Sequence, residues 1–348
     1  MRVLVTGGAG FIGSHIVEEL AGAGHEIVVL DSIHPAAHHE FPTCVVPGVE
    51  YHWADLADTE TLHRVTSGID AVCHQAAMVG LGEDFGDVVG YVRDNACGTA
   101  HLLHALHGRR FRGAFALASS MVVYGEGRYR CERHGEIRPE PREAARLAKG
   151  DWEPRCPTCD RELCPEAVPE SAPADPRSVY AATKLHQEHL CGLYGREHGV
   201  PVTALRYHNV YGPRMPRNTL YAGVAGIFRS ALERGEAPQV YEDGDQLRDF
   251  VHVRDVARAN RLALEAECPY NGPLNIASGT PRSVYELAAA LSRNLGPDAP
   301  PPEIVPRYRL GDVRHVFASP NAAARRLGFV AAVSFDDGIR EFAAAPMR

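Results

Sequence analysis

"VLVTGGAGFIGSH", residues 3–15, is the stretch whose reading decides the fold. A short β-branched run ends at Thr6, glycines follow at 7, 10 and 13, and an amphipathic run opens at once. Gly8, Gly10 and Gly13 also satisfy the G-x-G-x-x-G spacing. Such glycines permit a tight strand-to-helix turn and let the backbone approach a pyrophosphate, whose charge is favoured at a helix N-terminus. A ligand-free turn would use the same residues, so the next segment matters. The following run, "VVLDS", closes with Asp31. A carboxylate at that point hydrogen-bonds an adenosine ribose and repels a 2′-phosphate, and no arginine follows closely to receive one. The stretch is therefore expected to bind NAD rather than NADP, with Asp55 and Leu56 lying near the adenine.

Outward from this turn, short apolar runs alternate with helical spacing. Residues 2–6, 26–30, 49–53, 70–75 and 113–120 read as buried strands, with 202–206 as a sixth. Residues 11–22, 59–66, 93–108 and 179–198 carry helical periodicity. This alternation implies right-handed crossovers and a Rossmann-type, doubly wound parallel sheet. Beyond residue 207 the pattern is mixed, with helices expected near 219–235, 254–266 and 283–295.

"YAATK" places Tyr180 and Lys184 four residues apart, on one helix face. A phenol used as a base near neutral pH must lose about 3 units of pKa, roughly 4 kcal/mol, and a nearby ammonium favours that change. The pair alone is common on helices. Ser120 gives it meaning, because it ends the fifth strand, on the side of the sheet where the cofactor is expected. Its hydroxyl would hold a substrate oxygen whose proton Tyr180 takes.

With these residues in place, the chain resembles the extended short-chain dehydrogenase/reductase family, and within it the NAD-dependent nucleotide-sugar epimerases. The resemblance is carried by "TGGAGFIG", "HQAA" (74–77), "NACGT" (95–99), "SSMVVYG", "YAATK", "LRYHNVYGPR" (205–214), "GDQLRDFVHVRDVA" (244–257) and "LGDVRHVFASPNAAARRLGF" (310–329), in order along almost the whole chain except 126–172. It implies that Gly7, Gly10, Phe11, Ile12 and Gly13 contact the NAD pyrophosphate, that Gln75, Ala76 and Ala77 line the cofactor with Asn95 nearby, and that Ser120, Tyr180 and Lys184 are catalytic. It further implies that Asn209, Arg248 and Arg309 hold the diphosphate of a UDP- or dTDP-hexose, whose base faces residues 238–241. A homodimer through the helices at 93–108 and 179–198 is implied as well. His208 departs from the pattern, since the family usually has an aromatic residue there.

The residues after Ser120 separate reactions within that family. Related 4,6-dehydratases carry Asp-Glu there, decarboxylases a Glu at the second position, and 3,5-epimerases a Cys at that second position. Here they are Met121 and Val122, and neither can move a proton. What remains is hydride transfer at carbon 4, with the ketone turning over before the hydride returns: a 4-epimerase. The alternatives are an NAD-dependent sugar dehydrogenase or 4-ketoreductase, and a non-catalytic NAD-binding regulator.

Composition bounds the rest. The 348 residues have a formal net charge of −8, 45% hydrophobic and 23% charged residues, and no long basic run. Nucleic acid and anionic membranes are thus poor partners. The glycine-broken N-terminus is not a signal peptide, and no apolar run reaches the length of a membrane span, so a cytoplasmic enzyme is expected. Five of nine cysteines (Cys44, Cys73, Cys97, Cys191 and Cys268) stand alone and read as small core residues. The others lie between 131 and 164. Cys131-x-x-His134 and Cys156-x-x-Cys159 form two pairs with the spacing of a structural zinc site, Cys164 being a spare that could replace His134. The expected organisation is an NAD-binding domain over 1–206 with a zinc-ribbon-like insertion at about 126–172. A smaller α/β sugar-nucleotide domain over 207–348 would follow, with about 249–257 returning to the first domain.

Overall fold

Seven parallel strands form the central sheet of the structure, a computed structural model that describes residues 1–348 apart from 36, 39, 43, 44, 81–84 and 218–222. Cys44 and the start of the helix expected at 219 lie outside the described residues. Across the sheet the strands run Gly272–Ile276, Val202–Tyr207, Ala114–Ser120, Ala71–His74, Arg2–Thr6, Glu26–Asp31 and Glu50–Trp53. The order reverses between Arg2–Thr6 and Ala71–His74. That reversal opens a crevice at the carboxyl ends of the strands, where ligands of such sheets bind.

Both faces of the sheet are apolar because both are covered. Val3, Val5 and Val29 point to the layer holding Ile16, Val17 and Leu20 of helix Phe11–Gly22 and Val256 and Ala263 of helix Val253–Glu265. Their sequence neighbours Leu4 and Val28 point the other way, onto Leu62, Leu102, Leu106 and Cys191. The period of two along each strand feeds two separate cores.

Three expectations are corrected here. The seventh strand, Gly272–Ile276, pairs with Val202–Tyr207 and so belongs to the NAD-binding sheet. The return to the first domain is therefore much longer than 249–257, and includes helix Val253–Glu265 packed on Phe11–Gly22. The helix expected over 93–108 is a π-helical segment, Val92–Cys97, continued by α-helix Gly98–Gly108. The expected insertion carries regular structure of its own. Its strands Arg128–Cys131, Gly135–Ile137 and Cys164–Glu166 form a small antiparallel sheet with Arg128–Cys131 in the centre.

Residues beyond the sheet build a third core, in which Tyr211, Phe228, Phe250, Leu287 and Phe342 pack together. Helices Val224–Glu233, Val284–Leu295 and Phe335–Ala344 surround it. No described helix is long and apolar enough to cross a membrane.

Candidate active site

One continuous cleft of about 1780 Å³ runs from the glycine turn, past Ser120 and Tyr180, to Asn209, Tyr241 and Arg309. Small-molecule pockets usually hold about 300–1,000 Å³. A volume near twice that has room for two ligands end to end.

At one end, the glycines meet the demands of a dinucleotide. Gly7 has φ +68°, and a Cβ on Gly13 would lie 2.0 Å from the Gly7 carbonyl oxygen. Any side chain at 13 would push the helix off the turn. Gly10 is the helix N-cap without a side-chain hydrogen bond, and the first turn carries no acidic residue, so its amides are open to an anion. Asp31 is buried and accepts the amides of Ala9 and Ile33, each at 2.9 Å. Burial alone would raise its pKa. Hydrogen bonds from His38 and those amides outweigh it and hold the carboxyl below its ordinary value. These residues fit NAD. Phe11, Ile12, Asp55, Leu56, Gln75, Ala76 and Ala77 also line this end.

Asn95 does not line the cleft. It is completely buried, accepts the Met78 amide at 2.7 Å, and donates to the Met78 carbonyl and to Thr183. It acts by holding residues 76–78, which face the cofactor end, and the π-helical turn sets its position. Sequence reading could not separate these roles. A further feature it missed is Arg348, which donates to the Ala9 carbonyl and lies 2.8 Å from Nδ1 of His38.

In the middle of the cleft, Ser120 ends its strand beside Tyr207, and Ser178 caps the helix that carries Tyr180 and Lys184. The Ser178 hydroxyl accepts the Ala181 amide at 3.1 Å. Burial pushes the Tyr180 phenol up to about 12, and a hydrogen bond with Ser120 opposes that shift. Burial likewise pushes the Lys184 ammonium down to about 7. Its Nζ donates to the Ala118 carbonyl at 2.9 Å. The strand and the helix are also tied by Glu188, which receives the Ser119 hydroxyl and pairs with Arg206 at 2.7 Å. Nothing in the sequence announced that tie. Met121 and Val122 sit in the cleft wall directly after Ser120.

At the far end, the Asn209 side-chain oxygen is buried without a hydrogen-bond partner among the described residues. The Arg309 guanidinium lies 5.5 Å from the Tyr241 ring centroid. Arg248 lines the cleft, but its guanidinium also donates to the carbonyls of Leu247, Val313 and Arg314. Three of its five N–H donors are spent this way, which leaves two for a phosphate.

Beside this end sits the insertion. Cys131, His134, Cys156 and Cys159 bring one ligand atom each to within 4.8 Å of one another. The Cys131 sulfur is 3.7 Å from that of Cys159 and 3.6 Å from His134 Nδ1, which is 3.2 Å from the Cys156 sulfur. Around a tetrahedral zinc with bonds of about 2.0–2.3 Å, ligand atoms lie about 3.4–3.8 Å apart. Backbone amides of Arg133 and His134 point at Cys131, and those of Thr158 and Cys159 at Cys156. Cys164 is exposed on its strand and outside the cluster.

The comparisons agree with this geometry. The chain matches the NAD dependent epimerase/dehydratase family over residues 3–149 and 160–277, and it belongs to that family. The break at 150–159 falls on the second cysteine pair. The dTDP-L-rhamnose 4-epimerase of Burkholderia thailandensis is 32% identical over 346 residues, 98% of this chain and 93% of that protein. The Thermus thermophilus UDP-glucose 4-epimerase, solved with NAD, superposes with a TM-score of 0.78 at 32% identity, covering 99% of this chain and 98% of the other. The Thermotoga maritima UDP-glucose 4-epimerase, solved with UDP-glucose, gives 0.80 at 29% identity, covering 99% and 97%.

Proposed function

We propose that the chain is an NAD-dependent nucleotide-sugar 4-epimerase, an isomerase acting on a UDP- or dTDP-linked hexose. The family contains both epimerases and dehydratases, so the choice rests on one observation. Ser120, Tyr180 and Lys184 share a cleft wall with Met121 and Val122, which have no proton to give or take. Removal of water from the sugar would need an acid and a base there.

NAD bound at the glycine turn would supply the hydride acceptor, the hydride donor for the return, and a positive ring. The protein's own residues handle the proton. Ser120 hydrogen-bonds the oxygen on carbon 4, and Tyr180 takes the hydroxyl proton as the carbonyl forms and gives it back afterwards. In the free site burial pushes the Tyr180 phenol up to about 12 and weakens the Lys184 ammonium. Positive charge arriving in the cleft is therefore what draws out the phenolate. Asn209, Arg309 and the free donors of Arg248 hold the diphosphate, so the sugar ring can turn while its anchor stays.

The reading is tested by incubating the protein with UDP-glucose and with dTDP-L-rhamnose and separating the products by anion exchange. The 4-epimer should form. Tyr180→Phe should retain fold and NAD binding and lose turnover by at least about 10³-fold.

The second part of the proposal is one structural zinc held by Cys131, His134, Cys156 and Cys159. The support is the ligand spacing together with the size of the insertion's own core. That core is Tyr129, Cys131, Cys156 and Leu163, too small to hold a fold alone. All four positions are filled by protein, so the metal takes no part in the reaction. A homodimer through the Val179–His198 and Gly98–Gly108 helices completes the proposal. The exposed apolar Leu193 on one of them and Val92 beside the other favour it. Sedimentation at micromolar concentration should show twice the chain mass.

A further inference from the structure

Residues 345–348, which follow helix Phe335–Ala344, run back to the cofactor end of the cleft. Their backbone is pinned to residues 214–217. The Arg214 amide donates to the Pro346 carbonyl at 3.4 Å, the Arg348 amide to that of Met215 at 3.1 Å, and the Arg217 amide to that of Arg348 at 2.9 Å. Met347 is buried in the third core with Phe228 and Phe342. From this fixed base the Arg348 guanidinium divides between two acceptors. One arm donates to the carbonyl of Ala9, inside the glycine turn, and the other lies 2.8 Å from Nδ1 of His38. A guanidinium has donors and no acceptor, so Nδ1 must accept, which assigns the ring's proton to Nε2. That nitrogen lies 3.6 Å from Oδ1 of Asp31, and the His38 side chain is only 2% exposed. Arg348 thus turns the positive edge of the imidazole toward the carboxylate. Its other arm converges on the same group, because the Ala9 amide donates to Oδ2 of Asp31 at 2.9 Å. Both routes from one guanidinium end on the two oxygens of one carboxylate, in the wall of the cleft.

We propose that Arg348 is a positioning residue for the cofactor, holding the Asp31 carboxylate, through His38 and Ala9, in the orientation that accepts the 2′-hydroxyl of the adenosine ribose. This rests on the reading of Asp31 as the ribose acceptor, and the role needs no contact between Arg348 and the cofactor. A carboxylate already held by fixed donors does not have to be ordered when the ribose arrives. Without Arg348, the His38 ring would lose the donor that sets its tautomer. Its other tautomer would present a lone pair to Asp31 and push the carboxylate away.

The experiment measures binding by calorimetry for the unaltered protein, Arg348→Met, Arg348→Lys, His38→Phe and Asp31→Ala. The two ligands are NAD and the NAD analogue that lacks the 2′-hydroxyl of its adenosine ribose. The unaltered protein should prefer NAD by about 10- to 100-fold, the worth of a hydrogen bond to a charged acceptor. Asp31→Ala should abolish that preference. Arg348→Met and His38→Phe should each reduce it at least about 3-fold, by weakening NAD while the analogue binds as before. Arg348→Lys, which can still donate to one of the two acceptors, should keep part of it. A preference that Arg348→Met leaves unchanged overturns the proposal. So does equal weakening of NAD and the analogue, which would make Arg348 a brace of the glycine turn and nothing more. If Arg348→Met does not fold, His38→Phe leaves residues 345–348 in place and decides by the same two outcomes. If the unaltered protein binds NAD and the analogue alike, Asp31 is not the ribose acceptor, and the proposal falls with that reading.

Discussion

Arg142, from the cysteine-bearing insertion, grips Glu242, in the wall of the substrate cleft, through two parallel hydrogen bonds of 2.8 Å. Both side chains are at most 5% exposed. Glu242 also receives Arg314 at 3.0 Å, and Arg314 pairs in turn with Asp243 and with Glu153 of the insertion. The insertion is therefore fastened to the end of the cleft away from the glycine turn by a buried ionic network. Removing one member of such a network costs about 3–5 kcal/mol when the other charge is left unpaired, and less here because Arg314 remains on Glu242.

Arg142→Leu should loosen that attachment. Limited proteolysis should cut within 126–172 at least about 10-fold faster, and KM for the nucleotide sugar should rise with little change in kcat. Unchanged cleavage and unchanged KM together would mean that the insertion does not brace the cleft.

Loss of the proposed zinc should act on the same segment. Protein purified without added metal should contain about one zinc per chain. The Cys156→Ser, Cys159→Ser double variant should lose it, and its 126–172 segment should become sensitive to protease. A metal-free protein whose insertion still resists protease would refute the zinc site.

Asp31→Ala should weaken NAD by about 10-fold and narrow the preference over NADP, because the ribose hydrogen bond and the repulsion vanish together. Arg348, near His38, would then be a cation close to an added 2′-phosphate. Fluorescence titrations with both cofactors measure this. If the unaltered protein binds them equally, Asp31 does not select the cofactor.

Lys184 gives a pH dependence to the cofactor-free protein. Its pKa is about 7 in the fold, against about 10.4 in an unfolded chain, so between those values the unfolded chain binds a proton that the folded one lacks. Stability should therefore rise with pH through this window, by up to about 1.4 kcal/mol per unit from this group. Above about pH 8.5 the buried Cys73 and Cys191 thiols, both raised by burial, pull the other way. The clean comparison is urea unfolding of the unaltered protein and Lys184→Met between pH 7 and 8.5. The variant should be more stable at pH 7, with the difference shrinking as pH rises. A constant difference would show that Lys184 keeps an ordinary pKa.

Local signals were readable in the sequence. Gly7, Gly10 and Gly13 announce their turn because strand, turn and helix are contiguous, and "YAATK" sets Tyr180 and Lys184 on one helix face by spacing alone. The Cys131/His134 and Cys156/Cys159 pairs were readable for the same reason, and the fold brings their ligand atoms together. What stayed hidden depends on distant partners. Strand Gly272–Ile276 is five residues beginning Gly-Pro, with no periodicity to separate it from a loop. The Arg142–Glu242 pair joins residues 100 apart in sequence. The three hydrogen bonds that turn Asn95 toward Met78 and Thr183, and away from the cofactor, follow from a π-helical turn that side-chain patterning does not report.

The central claim is that the sugar is oxidised at carbon 4 and reduced again at the same carbon, with no other proton moved. The most direct measurement uses a UDP- or dTDP-hexose carrying deuterium at carbon 4, incubated with the protein in ordinary water while NADH absorbance is followed. The expected result is a 4-epimer that keeps its deuterium at carbon 4, takes up no solvent hydrogen at carbons 3 or 5, and leaves no net NADH. Accumulation of NADH in step with product, or a 4-keto-6-deoxy sugar as the product, would contradict the account.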